Sequence, residues 1–145
     1  MEKQLMRSIF RVNKIRHTYI RAKMEKLGLS GNMNMILHKV GDNGFCSQNE
    51  LSNDSLSDKA SISRDCAKLE FMGCIEQTTD PANKRKKVIR LTKKGENALN
   101  ALRRIDDEAS CVLLSGLGEE ERVRLAEYML IVEKNAELLK NTGAD

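Results

Sequence analysis

Apolar residues recur three and four positions apart along most of this chain, and that spacing is typical of amphipathic helices. It predicts a first helix over about residues 3–27, with Gly28 as a C-terminal cap. A second helix is predicted from near Ser30 to the turn signal at 41–44. A short third helix begins after Ser47, where the Ser47 hydroxyl and the Glu50 carboxylate are each expected to accept a hydrogen bond from a free amide of the first turn in a capping box.

The fourth predicted helix follows a polar stretch at 53–58, which offers a break and a new N-cap. Ile62, Cys66 and Leu69 repeat at spacings of four and three, so we expect these three side chains to face the core. The helix is predicted to end near Met72, before a glycine.

An extended pattern replaces the helical one after Gly73. It predicts short strands over 74–78 and 88–91, joined by a basic loop over 80–87, and therefore a β-hairpin. Thr92 can cap a long fifth helix whose apolar face reaches Val112.

The sequence 115–118 interrupts the helical pattern, and Glu119 is predicted to begin a sixth helix. The order α-α-α-α-β-β-α-α describes a mainly α fold with a small β-hairpin. We expect residues 1–145 to form a single domain, since this length is usual for one folding unit.

Composition excludes several classes of protein. With 40% hydrophobic and 32% charged residues the chain is globular, and nine Gly and one Pro are too few for an all-β fold. No window holds 18 consecutive apolar residues and no signal peptide is evident, so we expect a cytoplasmic protein with no membrane partner. The four Cys never form a C-x-x-C spacing and there are two His, so we expect no metal site and no cofactor.

Charge is distributed unevenly along the chain. Residues 1–94 hold 19 basic and 10 acidic side chains, whereas residues 95–145 hold 6 basic and 11 acidic ones. The stretch 81–94 alone contains seven basic residues and no acidic one. A polyanion is therefore expected to bind the first two thirds of the chain.

Two short helices followed by a hairpin with a basic tip form the winged helix-turn-helix arrangement. Residues 29–99 also resemble the multiple antibiotic resistance regulator (MarR) family of winged helix-turn-helix transcription regulators. Five segments carry the resemblance: 47–51 and 59–64, which open the two motif helices, 69–76, which leads into the wing, 80–85 at the wing tip, and 91–95, which closes the wing.

The resemblance implies a bacterial regulator that binds double-stranded DNA as a homodimer. Residues 30–95 would form the DNA-binding part, and residues 1–29 and 96–145 a helical dimerisation part. The first, fifth and sixth helices are long and amphipathic, which agrees with apolar faces that need a second chain. The predicted interface residues are Ile9, Phe10, Leu113, Leu117, Leu125, Met129, Val132 and Leu139.

The predicted DNA surface combines the motif helices with the wing. Arg64 can donate a bidentate pair to guanine, and Arg85 resembles the arginine that the family inserts into the minor groove. The other predicted contacts, to bases or phosphates, are Ser47, Gln48, Lys59, Ala60, Ser61, Ser63, Lys68, Lys84, Lys86 and Lys87.

Some positions depart from the family pattern. Asn83 stands where members usually have an Asp that pairs with the wing arginine, 55–57 replaces an apolar-Gly-apolar turn, and Asp65 occupies a usually apolar position. Residues 47–71 hold three basic and five acidic side chains. The acidic excess leaves open an alternative function, a winged-helix module for protein contacts with weakened DNA binding.

Other chemistry has little support in the sequence. No nucleophile triad, phosphate loop or carboxylate pair has a supporting context, so we expect no enzyme, and His17 and His38 are interpreted as structural. A thiol-based redox regulator is a further alternative, with Cys46 or Cys111 as the candidate thiol. The resemblance implies a small-molecule effector, but the residues leave its binding site unknown. A repressor is the expected kind of regulator, and an activator is the alternative that the sequence leaves open.

Overall fold

The computed structural model describes residues 1–53, 55 and 57–142, without the side chains of Arg85 and of residues 140–142. Its elements confirm the mainly α fold with a hairpin and the predicted order. They are α1 (Glu2–Lys26), α2 (Met33–Asn43), α3 (Gln48–Asn53), α4 (Lys59–Phe71), β1 (Ile75–Asp80), β2 (Asn83–Leu91), α5 (Lys93–Leu113) and α6 (Glu119–Thr142). The chain divides into two compact units, Met1–Ala109 and Ser110–Asp145.

The second helix starts and ends later than the sequence predicts. Gly31 has a φ of +60°, a left-handed conformation that interrupts the helical path, so α2 begins at Met33 and not at Ser30. The helix then runs through Gly41 to Asn43 and ends at Gly44, whose φ is +77°. Gly41 lies within the helix, and a Cβ at this position would collide with the Leu99 side chain of α5.

The core of the first unit lies between the motif helices, the hairpin and α5. As predicted, the apolar side of α4 faces inward. The prediction that the apolar face of α5 reaches Val112 is wrong, because Val112 is 73% exposed and the last buried residue of the helix is Ala109. A buried apolar side chain contributes about 1.5–3 kcal/mol, so this cluster dominates the stability of the unit. Its largest fully buried members are Leu29, Met33, Ile36, Leu37, Leu51, Ile62, Leu69, Ile89 and Leu102.

The hairpin is longer than predicted, and the prediction of a basic loop over 80–87 is wrong because most of this segment belongs to β2. The strands β1 and β2 pair antiparallel almost to the tip, with Thr79 opposite Lys87, a register irregularity next to Asp80, and a turn at residues 81–82. Residues 84–87 are all basic, so they show no alternation of apolar and polar positions from which a strand could be predicted. Their backbone nevertheless belongs to β2. An isolated bridge between Cys46 and Ile89 joins β2 to the segment before α3.

The start of α5 is fixed by a cap and a close contact. The Thr92 hydroxyl accepts a hydrogen bond from the Gly95 N–H and donates to the Gly73 carbonyl, which confirms Thr92 as the cap. A Cβ at Gly95 would collide with the carbonyl oxygen of Cys74. The helix therefore meets the base of the wing at a distance that only glycine permits.

The second unit contains the end of α5, a turn, and α6. Gly116 in the turn has a φ of +86°, and the Gly118 N–H donates to Glu121 at 2.8 Å at the start of α6. No residue among the described side chains of α6 is buried. Within the part of the chain that the structure describes, no helix is long and apolar enough to cross a membrane.

Candidate nucleic-acid interface

The first motif helix begins in the predicted capping box. The Ser47 N–H and hydroxyl both donate to Glu50 Oε2 at 2.6 Å, and the Glu50 N–H donates back to Ser47 Oγ at 3.3 Å. These bonds from Ser47 hold the pKa of Glu50 below its usual value. Ser47 itself is only 5% exposed. It positions the helix, and the predicted phosphate contact from its own amide or hydroxyl is not supported.

Gln48 belongs to a chain of polar contacts that joins the motif to the wing. Its Nε2 donates to Gln77 Oε1 at 3.0 Å, and Gln77 Nε2 donates to Glu70 Oε2 at 2.8 Å. This chain links α3, β1 and α4. Sequence reasoning missed Gln77 and Glu70, because a contact between residues 29 positions apart leaves no periodic signal.

The second motif helix, α4, turns a basic face outward. Asp58 caps it by accepting a hydrogen bond from the Ser61 N–H at 2.7 Å, as the break at 53–58 predicts, although residues 54 and 56 lie outside the described chain. Ser61 is half-buried, and its hydroxyl accepts a hydrogen bond from Asn32 Nδ2 at 3.1 Å. The exposed residues of the helix include Lys59, Ala60, Ser63, Arg64 and Lys68.

The carboxylate of Asp65 points away from this exposed face. Asp65 is 6% exposed, and its Oδ2 accepts hydrogen bonds from the backbone N–H and the side-chain amide of Asn32 at 2.8 and 2.9 Å. The acidic residue at a usually apolar position is therefore buried. It adds no repulsion directly on the surface that carries Arg64.

The wing supplies a second group of exposed cations. Lys84, Lys86 and Lys87 are exposed on β2, and Lys86 lies near enough to Glu50 to contribute to its lowered pKa. At the base of the strand, the Arg90 guanidinium lies over the Phe45 ring at 5.1 Å. The Arg85 side chain lies outside the described residues, so its role stays a prediction.

His38 contacts a carboxylate, and three of the four cysteines are buried. His38 Nε2 lies 3.4 Å from Asp106, which also pairs with Arg16 at 2.7 Å. Burial raises the pKa of Cys46, and raises that of Cys66 to about 11, which disfavours the reactive thiolate. Cys74 is also buried and Cys111 is exposed. The described residues contain no group of three metal-ligating side chains.

Comparison with solved structures places this architecture among known regulators. The chain matches the transcriptional regulator SlyA with a TM-score of 0.78 and 26% identity, over 91% of this chain and 93% of that one. It matches a MarR transcriptional regulator from Methanosarcina mazei with a TM-score of 0.82 and 21% identity, over 94% and 99% of the two chains. In fold, the chain is similar to transcriptional regulators of the MarR family.

Curated relatives of the chain carry names of the same kind. It is 29% identical over 115 residues to the uncharacterized HTH-type transcriptional regulator YybA of Bacillus subtilis, covering 79% of this chain and 77% of the relative. It is also 29% identical over 107 residues to the HTH-type transcriptional regulator BilQ of Clostridium symbiosum, covering 74% of each. No protein-family profile matches the chain.

Proposed function

We propose that this chain is a transcriptional repressor that binds a pseudo-palindromic DNA operator as a homodimer and responds to a small molecule. Its α4 enters the major groove, and its wing follows the adjacent backbone and minor groove. A mutant MarR from E. coli with the same fold has been solved in complex with operator DNA (19% identity, TM-score 0.73, covering 89% of this chain and 93% of that one).

One observation carries the DNA-binding proposal. Exposed cations occur on both parts of the motif, with Arg64 and Lys68 on α4 and three lysines on β2, while the inward side of α4 is buried. Cations on a helix that can enter the major groove supply base contacts, and lysines beside it neutralise phosphates. The proposed surface also includes Gln48, Lys59, Ala60, Ser61, Ser63 and Arg85.

Apolar faces on α1 and α6 support the homodimer. On α1, Phe10 is 69% exposed, and Ile9 beside it is half-buried. Exposed apolar side chains along one helix are typical of a surface that a second chain covers. The other proposed interface residues are Leu113, Leu117, Leu125, Met129, Val132 and Leu139, all of them exposed or half-buried.

A cavity in the first unit supports the small-molecule effector. It measures about 390 Å³, and its wall combines apolar Ile20, Met24 and Leu29 with the polar groups of Arg16 and Asn34. That size and mixed lining are usual for small-molecule sites. DNA binding by Bordetella bronchiseptica BpsR, whose structure shares this fold, is regulated by 6-hydroxynicotinic acid.

Replacing Arg64 with alanine tests the major-groove assignment. A duplex enriched from random DNA by the wild-type protein serves as the specific probe, and its half-sites should lie about one helical turn apart. Loss of a bidentate base contact should cost roughly 1–3 kcal/mol per half-site on this duplex and little on unrelated DNA. Fluorescence anisotropy measures both affinities.

Arg104→Ala is the matched control, because Arg104 is an exposed arginine on α5, outside the motif. Its affinities should equal those of the wild type. Equal losses by Arg64→Ala on both duplexes would contradict the base contact. A failure of the wild-type protein to enrich any duplex, with no salt dependence of binding, would favour the protein-interaction module instead.

Replacing Phe10 with aspartate tests the dimer. Sedimentation should give the mass of two chains for the wild type, and Phe10→Asp should weaken association by at least about 2 kcal/mol, because a charge would be buried at an aromatic contact. Phe71→Asp is the control, since Phe71 is 94% exposed on α4, outside the proposed interface. A wild-type monomer, or equal association by both variants, would overturn the interface.

A further inference from the structure

A buried carboxylate joins the second motif helix to the start of α2. Asp65 Oδ2 accepts two hydrogen bonds from Asn32, one from the backbone N–H and one from the side-chain amide. Asn32 is the residue that precedes the first turn of α2. Burying a carboxylate is costly unless its oxygens are hydrogen-bonded, so the two donors from Asn32 are what permit this residue inside the fold.

The side chain of Asn32 also makes hydrogen bonds to α4 and to the turn that precedes α4. Its Nδ2 also donates to Ser61 Oγ at 3.1 Å, and its Oδ1 accepts a hydrogen bond from the Ser57 hydroxyl at 2.6 Å. Ser61 and Asp65 are four residues apart and therefore lie on one side of α4. Three hydrogen-bonding partners around one amide fix both the position and the rotation of α4 at its N-terminal half.

Gly31, which precedes Asn32, leaves no room for a side chain beside the carboxylate. Gly31 has a φ of +60°, and a Cβ built there would lie 2.6 Å from Asp65 Oδ2. The turn between α1 and α2 therefore holds Asp65 between an amide and a main-chain surface. Purely apolar contacts would allow small slides and rotations, whereas hydrogen bonds are directional and oppose them.

The functional consequence follows from the neighbour of Asp65 in α4. Arg64 is exposed while Asp65 is buried, so the rotation that is set on the inner side also sets where the Arg64 guanidinium reaches. Base-edge contacts require placement within roughly 0.5 Å, whereas phosphate attraction is long-ranged and tolerant. Displacing the helix would therefore reduce base recognition before it reduces non-specific binding.

We propose that the hydrogen bonds of Asp65 with Asn32, beside a Gly31 that leaves no room for a Cβ, position α4 for base recognition and so determine the sequence specificity of this chain. Asp65 acts as a positioning residue, because its carboxylate lies on the buried side of α4, away from the exposed side that carries Arg64. The proposal rests on the DNA-binding function proposed above. According to this proposal, Asp65 influences sequence specificity although it is not part of the exposed basic surface.

Two substitutions test it, each with a matched partner. Asp65→Ala removes both acceptor bonds, whereas Asp65→Asn keeps an acceptor oxygen for the Asn32 N–H. Gly31→Ala pushes a methyl group against the carboxylate. Gly28→Ala sits in the same turn, with a φ of +72°, but its Cβ would meet only Met72 Cε at 3.9 Å. The two glycine variants thus share backbone strain and differ in the contact with Asp65.

Specificity is the first readout, measured as the ratio of affinities for the enriched duplex and an unrelated duplex of the same length. We expect Asp65→Ala and Gly31→Ala to lower this ratio about tenfold or more, with non-specific affinity nearly unchanged. Asp65→Asn and Gly28→Ala should stay within about threefold of the wild type. Thermal melting identifies any variant that fails to fold. If Asp65→Ala fails to fold, the comparison of Gly31→Ala with Gly28→Ala tests the proposal instead.

Hydrogen exchange of the free protein is the second readout and needs no DNA. Amides of residues 57–65 should exchange about tenfold faster in Asp65→Ala and Gly31→Ala than in the wild type, and should change little in Gly28→Ala. Unchanged ratios and unchanged exchange in folded Gly31→Ala would overturn the proposal, as would equal effects of Gly31→Ala and Gly28→Ala. If the wild type bound no DNA, the proposed function would fail, whereas unchanged exchange would show that the contact does not hold α4.

Discussion

Replacing Gly95 with alanine should lower the free energy of unfolding by about 3 kcal/mol, because the added methyl group must displace a backbone carbonyl. The Cβ would collide with the carbonyl oxygen of Cys74, which sits at the base of the wing and also accepts a hydrogen bond from the Thr92 N–H. The clash would be with the backbone of Cys74, which cannot move aside as easily as the end of a flexible side chain. Urea denaturation followed by circular dichroism measures the loss.

Gly118→Ala is the control for this substitution. The backbone of Gly118 is not left-handed, and its Cβ would meet only Glu121 Oε2, at 3.6 Å, an ordinary contact distance. Its unfolding free energy should change by less than about 1 kcal/mol. Equal stability of Gly95→Ala and the wild type would show that α5 can move away from the wing without cost.

The second large effect concerns the wing, where replacing Lys84, Lys86 and Lys87 together with glutamine should severely weaken DNA binding. All three side chains are exposed on β2. Each phosphate contact contributes about 0.9 to the slope of log affinity against log salt, so the slope should fall by about 3 per protomer. At low salt this should weaken binding on the order of 100-fold on any duplex sequence.

The matched control replaces Lys3, Lys14 and Lys26, three exposed lysines of α1, with glutamine. This variant has the same net charge as the wing variant but keeps the cations of β2. Its salt slope should remain close to that of the wild type. If both triple variants lost the same slope, general charge and not the wing would account for the binding.

The sequence predicted the features that depend on short-range pattern. The capping box at Ser47, the inward face of α4 and the order of all eight elements follow from spacings of three and four and from local turn chemistry. Each of these signals lies within one turn or one helix of the chain. A single sequence contains such information directly.

Contacts between distant parts of the chain decided the rest. The buried state of Asp65 depends on Asn32, 33 positions away, and the chain of polar contacts from Gln48 to Glu70 depends on Gln77 in the wing. The extension of β2 through its lysines required a partner strand to receive its backbone hydrogen bonds. Local pattern determined which elements form in this protein, whereas tertiary packing determined how the motif helix is held, because hydrogen bonds and steric contacts between separate elements leave no period in the sequence.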